Sequence, residues 1–269
     1  MNSLLIALAV PAMLFLIYVL LVMPRIPRRS MDTLRGRDYA HRGLWNVERP
    51  ENSLAAFDAA AGRGYGIELD VQLTADGALC VFHDNSLRRM TGTDGDIREC
   101  TLAQLAPLRL RGTGERIPAF AQALETVRGR VPLIVELKTC SRIEELCEKV
   151  WALLRDYPGV YCVESFDPRA VRWFRKNAPQ VLRGQLVQGW HGLPAKEKTA
   201  LTFLMSTLVQ NCLGRPDFIA CNTALEKSLS MRLMRKIRPW LVVWTVRSQD
   251  LMARLRGQYD LFIFEGFLP

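Results

Sequence analysis

The chain has 269 residues, 49% of them hydrophobic, and a formal charge of +9. That length and apolar content exclude a disordered chain and suit one large α/β domain or two small ones, while the basic balance favours anionic partners such as phosphates or anionic lipid. Seven cysteines, at 80, 100, 140, 147, 162, 212 and 221, are odd in number and lack C-x-x-C spacing; this argues against a zinc site or a disulfide framework and fits a reducing compartment.

Leu4 to Met23 is a run of twenty residues without a charge, long enough as a helix to cross roughly 30 Å of hydrocarbon. Residues 1–24 therefore read as one transmembrane helix, with Pro11 as a tolerated kink. No basic residue precedes the run and no small-x-small site follows it, which argues against a signal peptide. Arg25, Arg28, Arg29, Arg35 and Arg37 all follow it. The positive-inside rule then places a single-pass protein in the cell membrane with its large domain in the cytoplasm. Residues 25–37 read as a basic linker near anionic headgroups, and residues 38–269 as the folded domain.

Asp38 to His41 reads as a short strand, and a helix over 54–63 follows the loop at 48–53, with Asn52 or Ser53 as its cap. The stretch from Gly66 to Asp84 alternates, so Glu68 and Asp70 share one strand face while Ile67, Leu69 and Val71 share the other. Asp76-Gly77 is a turn signal that folds 78–83 back as a hairpin arm and brings His83 and Asp84 to the same end. Residues 85–120 are loop-rich, with one short helix at 101–106.

A regular rhythm follows. Helix 119–128, strand 132–138, helix 141–155, strand 160–166, helix 168–177 and strand 181–187 lead to helices within 194–211. Strand 217–221, helix 225–236, strand 241–246, helix 248–256 and strand 260–264 complete it. With the 78–83 arm set aside as an extra hairpin at the rim, eight strands alternate with helices, which predicts a parallel TIM-type (β/α)8 barrel. His41, Glu68, Asp70 and Glu136 then lie at or near C-terminal strand ends, where such barrels build active sites. His191, in Gly-Trp-His-Gly, lacks acidic company and reads as structural or surface. The apolar stretch Leu201 to Val209, with Met205, is expected to pack as core, the alternative being contact with a bilayer surface.

Three carboxylates without cysteine suit a hard cation such as Mg²⁺ or Ca²⁺, with Glu68, Asp70 and Glu136 as candidate ligands. Two imidazoles flanking a phosphorus can take a proton from the attacking oxygen and give one to the leaving oxygen. Arg42 and Lys138 are suited to holding phosphate oxygens.

Ala40-His41-Arg42-Gly43, Pro50-Glu51-Asn52-Ser53, Glu68-Leu69-Asp70-Val71, Phe82-His83-Asp84, Glu136-Leu137-Lys138, Ser165-Phe166-Asp167 and Trp244-Thr245-Val246 stand in this order. The set resembles the glycerophosphodiester phosphodiesterase family, within the wider phosphatidylinositol phospholipase C-like barrel group. The resemblance spans residues 39–266 and implies metal-assisted hydrolysis of glycerophosphodiesters, or of lysophospholipid headgroups. The products would be glycerol 3-phosphate, or a lysophosphatidic acid, and an alcohol. It also implies His41 and His83 as the acid/base pair, Glu68, Asp70 and Glu136 as metal ligands with Glu51 beside them, Arg42 and Lys138 on phosphate, and Trp244 at the glycerol end. No nucleic-acid partner is expected. Two positions depart from the family pattern: Arg247 stands where Asn often follows Trp-Thr-Val, and the last strand reads Ile263-Phe264-Glu265-Gly266 in place of a Thr-Asp ending. A cyclising attack by a neighbouring hydroxyl is an alternative within enzymes. A non-catalytic membrane scaffold or headgroup-binding module on the same barrel is the alternative outside them.

Overall fold

Runs such as Leu-Ile-Val-Glu-Leu at 133–137 and Trp-Leu-Val-Val-Trp-Thr-Val at 240–246 are rich in the β-branched and aromatic residues that suit strands. They carry apolar side chains on both faces, as a strand covered on both sides requires. The computed structural model describes residues 2–26, 28–190, 193 and 195–269, with side chains from Leu8 onward except that of Lys196. His191 lies outside the described residues.

The chain begins with α1 (Asn2–Val22), β1 (Tyr39–His41), α2 (Leu54–Gly62), β2 (Gly66–Leu73) and β3 (Leu79–Val81). Short helices α3 (Arg88–Thr91) and α4 (Leu102–Leu105) cross the loop-rich part, which has a small core of its own around Phe82, Met90, Leu105 and Ile117. Then come α5 (Phe120–Val127), β4 (Leu133–Leu137), α6 (Ile143–Leu154), β5 (Tyr161–Ser165), α7 (Pro168–Asn177) and β6 (Arg183–Val187). The last part holds α8 (Ala200–Ser206), α9 (Asn211–Gly214), β7 (Phe218–Asn222), α10 (Leu229–Ile237), β8 (Trp240–Val246), α11 (Gln249–Leu255) and β9 (Leu261–Phe264).

β1 pairs in parallel with both β2 and β9, so eight parallel strands close into the expected TIM-type barrel. β3 is the extra hairpin arm, antiparallel to β2. β1 is only three residues long and ends at His41, opposite Glu68. From Val71 onward the edge that β1 has vacated is taken by β3, and this exchange carries His83 to the rim above the barrel. Ser53 caps α2, its Oγ accepting from Ala56 N at 3.1 Å. Gly43 holds φ +82° with Ala56 packed where a Cβ would sit, so only glycine lets the turn after His41 lie against α2.

The described residues correct two expectations, the N-terminal span and the burial of 201–209, and show how the stretch before β1 packs. The arginine-rich stretch before β1 packs on the barrel: Met31 and Leu34 are fully buried among Tyr39, Phe218, Trp240 and Val242 inside it. Tyr39 OH donates to Leu34 O at 2.7 Å, and Trp240 Nε1 donates to Arg29 O at 2.7 Å. Two apolar side chains closing the barrel's end thus hold this stretch against the folded domain.

The expected transmembrane span is not carried by the structure, because among the described residues no helix is long and apolar enough to cross a membrane. The C-terminal turn of α1 is docked on the barrel instead. Val22 is buried, Asn211 Nδ2 donates to Val22 O at 2.9 Å, and Arg215 Nη1 donates to Leu20 O and Met23 O, both at 2.8 Å. The remaining correction concerns 201–209. α8 buries no residue, with Leu201, Phe203 and Leu204 exposed; beyond it Leu208 is buried in the core and Val209 packs against it.

Candidate active site

Strand alternation puts Glu68 and Asp70 on one face of β2, and the parallel register sets Asp70 beside Glu136 on β4 and Glu136 beside Glu164 on β5. One carboxylate oxygen from each of Glu68, Asp70 and Glu136 lies within 4.8 Å of the others, and all three side chains are buried. Hard divalent cations take oxygen ligands at about 2.0–2.6 Å. The three oxygens are near the spacing at which a single ion gathers its ligands, so Glu68, Asp70 and Glu136 form a candidate site for a divalent cation.

The electrostatics of the cluster are divided. Burial, then the charges of Asp70, Glu136 and Glu164, push the Glu68 carboxyl well above its usual range. Asp70 goes the other way: against burial, Lys138, His83, Arg42 and a hydrogen bond from Asn52 hold it well below. Asn52 Nδ2 donates to Asp70 Oδ2 at 2.8 Å. Burial raises Glu136, although Lys138 opposes the shift. Lys138 Nζ bridges the cluster at 3.2 Å from Asp70 Oδ1 and 2.9 Å from Glu136 Oε1, and Arg42 Nε is 3.4 Å from Asp70 Oδ2.

Both expected imidazoles line the same cavity, of about 190 Å³, with Glu68 and Glu136. Each ring is tethered through Nδ1 to a carboxylate. His41 Nδ1 is 2.5 Å from Glu265 Oε2, and His83 Nδ1 is 2.7 Å from Asp84 Oδ1. A neutral imidazole donating from Nδ1 leaves Nε2 as the free acceptor. Burial lowers the pKa of His41 against the pull of Glu265. The carboxyl of Glu265, opposed by burial, is brought down to about 2 by the hydrogen bond and charge of His41 and the charge of Arg247.

Glu51 does not join the three acids. Its oxygens accept from Arg42 Nη1 at 2.7 Å and from Arg89 Nη1 and Nη2 at 2.8 and 2.7 Å, and Arg89 Nε donates to Asp84 Oδ2 at 2.5 Å. Glu51 thus links Arg42 to the carboxylate that tethers His83. Arg42 also donates its backbone N–H to Glu68 Oε2 at 3.0 Å. Trp244 lines the far wall of the cavity, its ring edge-on to Phe166 at 5.6 Å between centroids and its Nε1 donating to Ala220 O at 3.1 Å.

Sequence reasoning gave no role to Glu265, Asp84, Arg89 or Glu164. Asp84 stands next to His83, and Glu265 ends the last strand, so adjacency and strand-end position were available signals for those two. Arg89 carried none, since its partners are set by how the 85–120 excursion folds over the rim. Glu164 is buried in register with Glu136, its Oε2 accepts no hydrogen bond, and burial together with Glu136 and Asp70 raises its carboxyl well above the usual range.

Comparison with known proteins agrees with this geometry. Residues 41–259 match the Glycerophosphoryl diester phosphodiesterase family. YhdW of Bacillus subtilis (strain 168) is 35% identical over 227 residues, covering 81% of this chain and 89% of its own length. Glycerophosphodiester phosphodiesterase 1 of Bos taurus is 30% identical over 260 residues, 83% of this chain and 76% of the relative. Among solved structures, a phosphodiesterase of Oleispira antarctica in complex with its product sn-glycerol-3-phosphate superposes with a TM-score of 0.73 at 24% identity, covering 88% of this chain and 95% of that one. With the three-acid cluster, the two tethered imidazoles and a family match across the barrel, the chain belongs to the glycerophosphoryl diester phosphodiesterase family.

Proposed function

We propose that the protein is a metal-dependent phosphodiesterase that hydrolyses glycerophosphodiesters, lysophospholipid headgroups among them, to glycerol 3-phosphate or a lysophosphatidic acid and an alcohol. The observation that carries this reading is a single cavity lined by two carboxylate-tethered imidazoles, Glu68 and Glu136, with Asp70 buried beside the two acids. The oxygen-only donors favour Mg²⁺ or Ca²⁺, and such a cation supplies charge neutralisation at the phosphodiester.

His41 and His83 are the acid/base pair, each with Nε2 free to accept from or donate to an oxygen on phosphorus. Glu265 and Asp84 hold the rings in that tautomer. Arg42 and Lys138 offer their remaining donors to the phosphate oxygens. Trp244 and Phe166, packed edge to face, form an apolar wall for the carbon face of the glycerol end.

We also place the enzyme at the cytoplasmic face of the cell membrane. Exposed apolar side chains along α1, including Leu8, Met13, Leu14, Phe15 and Leu16, followed by Arg25, Arg28 and Arg29, support this location.

The test is an assay of the full chain on glycerophosphocholine, with glycerol 3-phosphate measured by a coupled reaction. Release in the presence of Mg²⁺ or Ca²⁺, its loss with chelator, and its loss in His41→Ala and in His83→Ala are expected. An unchanged rate in His41→Ala would sink the mechanism.

A further inference from the structure

We propose that α8 and the exposed part of α1 form one continuous lipid-contacting surface, which seats the protein on an anionic bilayer with the active-site rim alongside.

Three observations carry this. α8 presents Leu201, Phe203 and Leu204 at 65%, 54% and 50% exposure, and Leu16 and Leu20 of α1 are exposed to a similar degree. Burying such side chains in the core is the usual outcome, and their common exposure in two neighbouring helices makes a patch of the kind that marks an interaction surface. The two helices meet where Tyr18 OH donates to Thr207 O at 3.0 Å.

The charge distribution selects the occupant. Residues 199–214 hold no charged side chain, nor do residues 8–24, and the first charges reached beyond these runs are Lys198, Arg215 and Arg25. Arg25 pairs with Asp217 at 3.8 Å and Arg215 Nη1 is held by the carbonyls of Leu20 and Met23, at the foot of α1; an uncharged apolar patch flanked along the chain by cations is complementary to acyl chains beneath anionic headgroups. Glu197 is the nearest acid in sequence to α8.

The geometry also sets the position of the active site. Gln188, at the end of β6, lines the catalytic cavity, and two residues later Trp190 lies edge-on to Phe203 at 5.8 Å between ring centroids. The Lys198 Nζ sits 5.3 Å from the same indole. The rim of the cavity and the apolar helix are thus joined through one aromatic contact, so a lipid surface under α8 brings headgroups to the rim. This inference rests on the phosphodiesterase reading only for its activity arm.

The experiment uses the full chain with vesicles of phosphatidylcholine and phosphatidylglycerol. In Phe203→Trp, the added emission is expected to be quenched by brominated phosphatidylglycerol and to recover in vesicles of phosphatidylcholine alone at high salt. In Leu201→Ser/Phe203→Ser/Leu204→Ser, kcat/KM on lysophosphatidylcholine embedded in vesicles is expected to fall about tenfold or more, with kcat/KM on soluble glycerophosphocholine unchanged.

Unquenched emission would overturn the proposal, as would an equal loss on both substrates, which would assign α8 to the fold. A lipid-independent dimer in the parent that the triple variant abolishes would overturn it in favour of a second copy as the occupant. If the parent cleaves neither substrate, the phosphodiesterase reading fails while the quenching still decides the surface.

Discussion

Glu265 Oε2 lies 2.5 Å from His41 Nδ1, and Glu265 Oε1 lies 3.3 Å from Arg247 Nε. The two positions at which the chain departs from the family pattern therefore meet each other and the His41 imidazole. Arg247 and His41 share one carboxylate, and that carboxylate fixes which nitrogen of His41 faces the cavity.

Replacing Glu265 by Gln keeps the shape but lets the ring of His41 turn or change tautomer. The expected result is a loss in kcat of about 10- to 100-fold, with a smaller change in KM and a displaced pH-rate profile. Glu265→Asp should recover part of the rate, since a shorter carboxylate still accepts from Nδ1. A full rate and an unmoved profile in Glu265→Gln would remove Glu265 from the site.

Lys138 bridges Asp70 and Glu136 but makes no ion pair with Glu68, so a divalent cation shared by all three carboxylates would relieve further repulsion. Addition of Mg²⁺ or Ca²⁺ to chelator-treated protein should raise Tm, because a ligand at 100 times its Kd adds about 2.7 kcal/mol to the folded state. Glu136→Gln should lose most of that shift, and calorimetric titration gives the stoichiometry. An equal rise in Glu136→Gln would place the cation elsewhere.

Acid sensitivity follows from the Glu265 carboxyl, brought from 4.5 to about 2 on folding. A depressed carboxyl contributes stability that is complete above its unfolded pKa and is lost as pH falls through the folded one. The parent's advantage over Glu265→Gln should therefore be full above about pH 4.5 and shrink towards pH 2. With the side chain 18% exposed and screened by solvent, the advantage is on the order of 1–2 kcal/mol. Urea midpoints across this range measure it.

Leu34 is the clearest test of how the chain before β1 is used. Leu34→Ala should destabilise the protein by about 2–4 kcal/mol, read as a lower urea midpoint with an unchanged slope, because it opens a cavity at the closed end of the barrel. A free linker would show no change.

Local pattern determined the strands and their faces. Alternation over Gly66–Leu73 is enough to put Glu68 and Asp70 on one side, and the helix–strand rhythm is enough to count eight parallel strands, because strand pitch and helix period act over a few residues. Short motifs likewise marked both imidazoles and all three acids.

Barrel closure decided the rest. Glu265 reaches His41 across 224 residues of chain only once β9 pairs with β1, and Glu51 turns from the acids to Arg42 and Arg89 only when the 85–120 excursion folds over the rim. Met31 and Leu34 lie in an arginine-rich stretch yet fill the barrel's end, whereas Leu201, Phe203 and Leu204 lie in an apolar stretch yet face outward. Composition states how apolar a segment is, but burial depends on which surfaces remain uncovered after distant strands have met.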